Sequence, residues 1–158
     1  LWAWAPWQAQ VPLVVMLPVC LILALAIGRP NPFSFGGARS HAFNPARAGI
    51  VRVTRHPLLL ALSLWALAHL VPNGDLAHVI LFGVFAAFAA FGGRLVDKRR
   101  QREMGAAWQR QYSEVMSGIG TARPEAWGSV CLRLGLGVAL YAGLIWLHPW
   151  LFGVNPLG

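Results

Sequence analysis

Hydrophobic positions in this chain are gathered into long unbroken blocks, with no alternation of apolar and polar residues of the kind a half-buried strand needs. Four blocks stand out, at residues 11–27, 57–71, 76–93 and 130–147. Each approaches the roughly 20 helical residues that cross a hydrocarbon core of about 30 Å. The first is closed by Gly28, Pro30 and Pro32, which a helix does not readily continue through. The second opens at Pro57, where proline suits a first helical turn, and ends at Pro72, Asn73 and Gly74. Lipid leaves only helices or closed barrels as spanning structures, so the pattern predicts an all-α polytopic bundle of about four spanning helices, one membrane domain over residues 1–158.

Composition agrees: 57% of residues are hydrophobic and 11% charged, which places the chain outside the soluble globular class. The net charge of +8 would suggest nucleic acid, but the positions of the thirteen Lys and Arg predict otherwise. Arg29, Arg39, Arg47, Arg52 and Arg55 lie between the first two blocks. Arg94, Lys98, Arg99, Arg100, Arg102, Arg110, Arg123 and Arg133 lie between the third and fourth or just inside the fourth. The turn at residues 72–75 and both ends have none. The positive-inside rule then puts both basic loops in the cytoplasm and both ends in the periplasm of a bacterial inner membrane, with lipid and not nucleic acid as the partner of the charge. Trp2, Trp4, Trp7, Trp146 and Trp150 fall where this topology puts the outer interface, as an aromatic belt. The chain starts at Leu1 without a basic n-region, so it reads as a portion of a longer polypeptide. Cys20 and Cys131 fall at different depths and read as small core residues, not a disulfide.

The basic loops carry helix signals of their own. Asn44 before Pro45 predicts an N-cap opening a short helix through ARAGIVRVTR, with Arg47, Arg52 and Arg55 at headgroup depth. VDKRRQREMGAAWQRQYSEVM predicts that the third span runs on as a charged helix with Gly105 inside it, and the two loops are expected to fold together.

Histidine is the residue type with chemistry to offer. His56 and His69 lie thirteen residues apart, about 20 Å along one helix, too far to ligate one iron. His69, His78 and His148 fall on three different spans near the same membrane face, with Asp75 between two of them, and an ionisable side chain at that depth is a candidate site. No nucleophile, phosphate-binding glycine loop or cysteine cluster offers a competing chemistry.

The runs GIVRVTRHPLLLALSLWALAHLVPNGDLA, DKRR followed by GAAWQ, and LIWLHPWLFGVNPL resemble the NnrU family of bacterial membrane proteins over most of the chain. The resemblance implies association with nitrite and nitric oxide reduction, and a relation to the 15-cis-zeta-carotene isomerases, which are haem b proteins. It implies His69, the ALAH histidine, as the haem ligand to match, with His56 and His148 as the other family histidines. It also implies further N-terminal helices bearing another histidine in fuller members. The candidates are therefore His69, His148 and His78 as iron ligands, and His69, His148, His56, Arg52 and Arg55 around a cofactor, since a haem b asks for an axial imidazole and cations for its propionates.

The RHP entry to a membrane helix is similar, more distantly, to the isoprenylcysteine carboxyl methyltransferases. That reading would use His56, Arg55, Asp97, Glu103 and Trp108 to hold S-adenosylmethionine, although the tyrosine expected after RHP and the later Glu pair are missing. A third reading makes the chain a non-catalytic partner of another membrane protein of nitrogen-oxide or electron-transfer metabolism, packing through the small residues of GVFAAFAAFGG.

Overall fold

A computed structural model describes residues 1–35, 40–117 and 127–157, which excludes Arg39 and Arg123 of the basic loops. Every regular element among these residues is helical. A 3-10 turn at Pro6–Ala9 leads into α1, Gln10–Ala26, which carries Pro18 inside it. Helix α2 spans Pro57–Leu70, α3 Leu76–Met104, α4 Ala106–Ser117 and α5 Trp127–Phe152. Pro6–Ala26, α3 and α5 are long and apolar enough to cross a membrane. Helix α2 is apolar but has 14 residues, about 21 Å of rise, and depends on its flanking turns to reach further. Most of each long span is left unburied by the rest of the chain, an apolar surface that suits lipid and not water.

The helices pack in the lateral order α5, α1, α2, α3. At the α1–α5 contact, a Cβ on Gly137 would stand 3.1 Å from Leu21 Cα and 3.2 Å from Cys20 O, so only glycine lets the two backbones approach this closely. One helical stripe locks the contact. Arg133 donates to Ala24 O at 2.7 Å and to Ile27 O at 3.1 Å, and Tyr141 Oη donates to Leu13 O at 2.8 Å. On the other side, Ala89 and Gly92 of GVFAAFAAFGG are buried against α2, with Leu59 over Gly92, while Phe85, Phe88 and Phe91 stay exposed. Ala89 and Gly92 thus serve packing within the chain, while Ala87 and Ala90 of the same run stay exposed.

The basic loops do fold together. Phe33, Ala48, Val51, Trp108 and Val115 form a buried cluster, Phe33 meeting Phe43, Trp108 and Tyr112 edge to face. Four expectations are corrected in detail. Gly105 does not lie within a continuous helix: it ends α3 at φ +54°, and the reversal lets α4 swing back so that Trp108 reaches Phe33. The segment after Asn44 is two 3-10 turns, Pro45–Arg47 and Gly49–Arg52, separated where Gly49 takes φ +56°. Its cap is as expected, Asn44 Oδ1 accepting from Ala46 N–H at 2.9 Å. The fourth span extends a turn beyond its apolar block, through Pro149 to Phe152. Cys20 is a buried free thiol, but Cys131 is exposed and is not a core residue. The five belt tryptophans are all exposed, consistent with an interfacial position.

Candidate functional site

The chemistry-bearing side chains separate into two sets at opposite ends of α2. At its first turn, Pro57 leaves His56 in a non-helical conformation as N-cap, and the ring lies against Gly93 of α3, where an added Cβ would come within 3.1 Å of His56 Cδ2. One turn beyond Gly93, Asp97 Oδ1 meets His56 Nε2 at 3.1 Å and Asp97 Oδ2 accepts from Arg55 at 2.8 Å. His56 Nδ1 meets Ser34 Oγ at 2.9 Å. An ionised Asp97 only accepts, so Nε2–H donates to it and Nδ1 accepts the Ser34 hydroxyl proton. Burial pushes the His56 imidazole below its ordinary range. Asp97 opposes that through charge and hydrogen bond, Arg55 adds to it, and burial wins. The order Ser34, His56, Asp97 resembles a nucleophilic triad, but Ser34 is 2% exposed, so its hydroxyl pins the ring and meets no substrate.

The backbone is drawn into the same knot. Asn31, itself buried, donates to Arg55 O at 2.9 Å and accepts from Phe33 N–H at 3.0 Å. The Arg55 guanidinium lies 4.9 Å over the Tyr112 ring. Arg52 donates to Pro45 O at 2.9 Å. Two cavities of about 280 and 320 Å³ open here and share Thr54, Arg55 and His56. Of the residues expected for a methyltransferase, Arg55, His56 and Asp97 come together. Glu103 instead lies on the exposed face of α3, paired with Arg99 at 2.7 Å and Arg100 at 3.0 Å, and Trp108 is buried in the aromatic cluster.

At the far end of α2, about 20 Å away, each histidine is held locally. His69 Nδ1–H donates to Trp65 O at 2.8 Å, and the ring is flanked by Trp65 at 5.5 Å and Phe82 at 5.6 Å. Its Nε2 has no hydrogen-bond partner among the described residues. His148 also spends Nδ1 locally, Nδ1–H donating to Val154 O at 2.8 Å. His78 stacks on the other side of Phe82 at 6.1 Å and donates to Asp75 Oδ2 at 2.6 Å. Asp75 also caps α3 by accepting from His78 N–H, contacts that hold its exposed carboxyl below the usual range. Trp2 closes this end, donating to Val71 O at 2.9 Å and lying so close over Gly74 that no side chain would fit there. Among the described residues no three His, Cys, Asp or Glu side chains are grouped to hold a bare metal ion.

Ser34, Asn31 and Tyr112 were invisible as site residues in the sequence. Nothing in NPFSF or RQYSE marks them, and their role exists only because three distant segments meet at Arg55 and His56.

Helices built for lipid, a polar knot tying the two basic loops and open imidazoles at the other end together define a polytopic helical membrane protein with candidate ligand positions at both ends. The chain belongs to the NnrU family, whose sequence profile, described as NnrU protein, matches residues 1–156. Comparison with curated proteins and with solved structures finds no match.

Proposed function

We propose that this chain is the membrane part of a haem b protein of the bacterial inner membrane, acting in nitric oxide reduction and denitrification or related redox metabolism. His69 would hold the haem iron in this reading. The observation that carries it is the state of the His69 ring, with Nδ1–H spent on the carbonyl of its own helix and Nε2 left open between two aromatic walls. A ligating histidine is ordinarily fixed in this manner, because the outer hydrogen bond selects the tautomer and aims the other nitrogen at the metal. A neutral imidazole on an apolar helix also suits haem iron as donor. His148, with the same pattern at Nδ1, is the candidate second ligand, and His78 the alternative. Bound haem would supply iron redox chemistry, while Trp65 and Phe82 exclude water and orient the imidazole. Arg52 and Arg55 lie at the other end of α2, beyond the reach of propionates on such a haem. In this orientation the basic end is cytoplasmic and the His69 end periplasmic.

The test is the visible spectrum, oxidised and reduced, of the full-length protein purified in mild detergent, beside His69→Ala and His148→Ala. A Soret band and reduced α-band that His69→Ala abolishes are expected. A colourless preparation overturns the haem reading, and S-adenosylmethionine binding that His56→Ala removes would move the chemistry to the opposite end.

A further inference from the structure

Two neighbouring cavities at the basic end, a chamber and a cleft, share Thr54, Arg55 and His56. The chamber is lined by Arg52, Thr54, Arg55 and Tyr112, and the cleft between α2 and α3 by Leu59, Leu60, Ala89 and Ala90. Each guanidinium has one terminal nitrogen fixed, Arg52 to Pro45 O and Arg55 to Asp97, and its other terminal nitrogen has no hydrogen bond among the described residues. Asp97 balances one of the two charges, and Arg94 adds another at the cleft. The chamber therefore keeps a net positive charge. Among the described residues, Arg52 Nε and Arg55 Nε, both on residues that line the chamber, are buried without partners. Buried polar atoms are normally satisfied, so such a pair marks a place where a polar group is missing. Depth fixes the kind of ligand: the chamber sits where α2 begins at Pro57 and the apolar run of α3 gives way to Arg94, the level of lipid headgroups, and the cleft leads from there toward the hydrocarbon.

We propose that this end of the molecule is a binding site for an acidic phospholipid, with the phosphate on the free guanidinium N–H groups of Arg52 and Arg55 and an acyl chain along the α2–α3 cleft. Arginine suits the phosphate because its planar fork donates two hydrogen bonds at once. Leu59 and Leu60 of α2 with Ala89 and Ala90 of α3 give that chain an apolar wall. The site is independent of the His69 end.

Thermal melting of the full chain in detergent tests this, with added phosphatidylglycerol, phosphatidylcholine of the same chains, inorganic phosphate, or S-adenosylmethionine. Phosphatidylglycerol is expected to raise Tm and the other three to do little. Arg52→Gln should weaken the apparent affinity for phosphatidylglycerol about tenfold, the effect of losing one charge-assisted hydrogen bond. Arg99→Gln, which removes equal charge from the exposed face of α3, should leave it unchanged. Ala90→Trp fills the cleft from its exposed side with both arginines retained, and should weaken phosphatidylglycerol binding even if Arg52→Gln folds poorly. Equal stabilisation by phosphatidylcholine, or equal loss in Arg99→Gln, would reduce the effect to general lipid or charge attraction and overturn the site. Saturation by inorganic phosphate or S-adenosylmethionine alone would overturn the lipid in favour of a soluble ligand.

Discussion

At the basic end His56 is held by partners 22 and 41 residues away in sequence, Ser34 and Asp97, whereas at the turn end His69, His78 and His148 are held by partners four, three and six residues away. Both nitrogens of His56 are consumed in joining a loop to two helices. The turn-end imidazoles each spend Nδ1 on their own neighbourhood, and His69 keeps Nε2 free. A histidine tied by long-range bonds is part of what holds the tertiary structure together. One anchored locally can be changed without loosening the fold, and so is available to a ligand. His56 and His69, at the two ends of one helix, thus serve different physical ends.

The comparison is broken or sharpened by substitution at each end. The largest effect is expected from Asp97→Ala, which strips partners from both Arg55 and His56 where side chains are 34%, 14% and 16% exposed for Arg55, His56 and Asp97. The loss should be about 3 kcal/mol, at the low end for a buried pair because Arg55 is partly solvated, and would appear as a lower Tm in detergent. An unchanged Tm would mean that the knot does not hold the loops. A pH effect comes next. Burial holds the folded His56 below its unfolded value, so its contribution is full above about pH 6.5 and is lost as pH falls through that value and then through the lower folded one. Wild-type Tm should therefore decline on acidification more steeply than that of His56→Gln; parallel profiles would remove His56 as the cause.

At the turn end, His69→Ala should destabilise by only about 1 kcal/mol, one local hydrogen bond and an aromatic contact, while abolishing any haem spectrum. Unfolding of that variant would make His69 a structural residue and erase the contrast. The smallest shift belongs to Asp75→Ala, which removes an exposed cap, and Asp75→Asn should restore it because asparagine caps equally well. A failure of Asn to rescue would show that the ion pair with His78, and not the cap, matters.

Sequence alone determined the elements whose causes are local. Apolar runs must become helices in lipid, Pro57 fits only a first turn, and Asn44 caps the turn that follows it, so the first two spans and these caps could be read within a residue or two, while the fourth span runs a turn further than its apolar block. It also marked His56, His69, Arg55 and Asp97 as chemistry worth watching. Tertiary structure alone decided what they touch. Gly105 within a charged stretch looks like a tolerated helix interior, and only the attraction of Trp108 to the Phe33 cluster makes it the hinge that ends α3. Ser34 and Asn31 acquire their meaning from a loop folding back on His56 and Arg55. The physical reason is range: helix propensity and capping act over one to four residues, whereas a buried polar knot is satisfied by whichever groups the packing brings within hydrogen-bond distance, and sequence spacing does not encode that meeting.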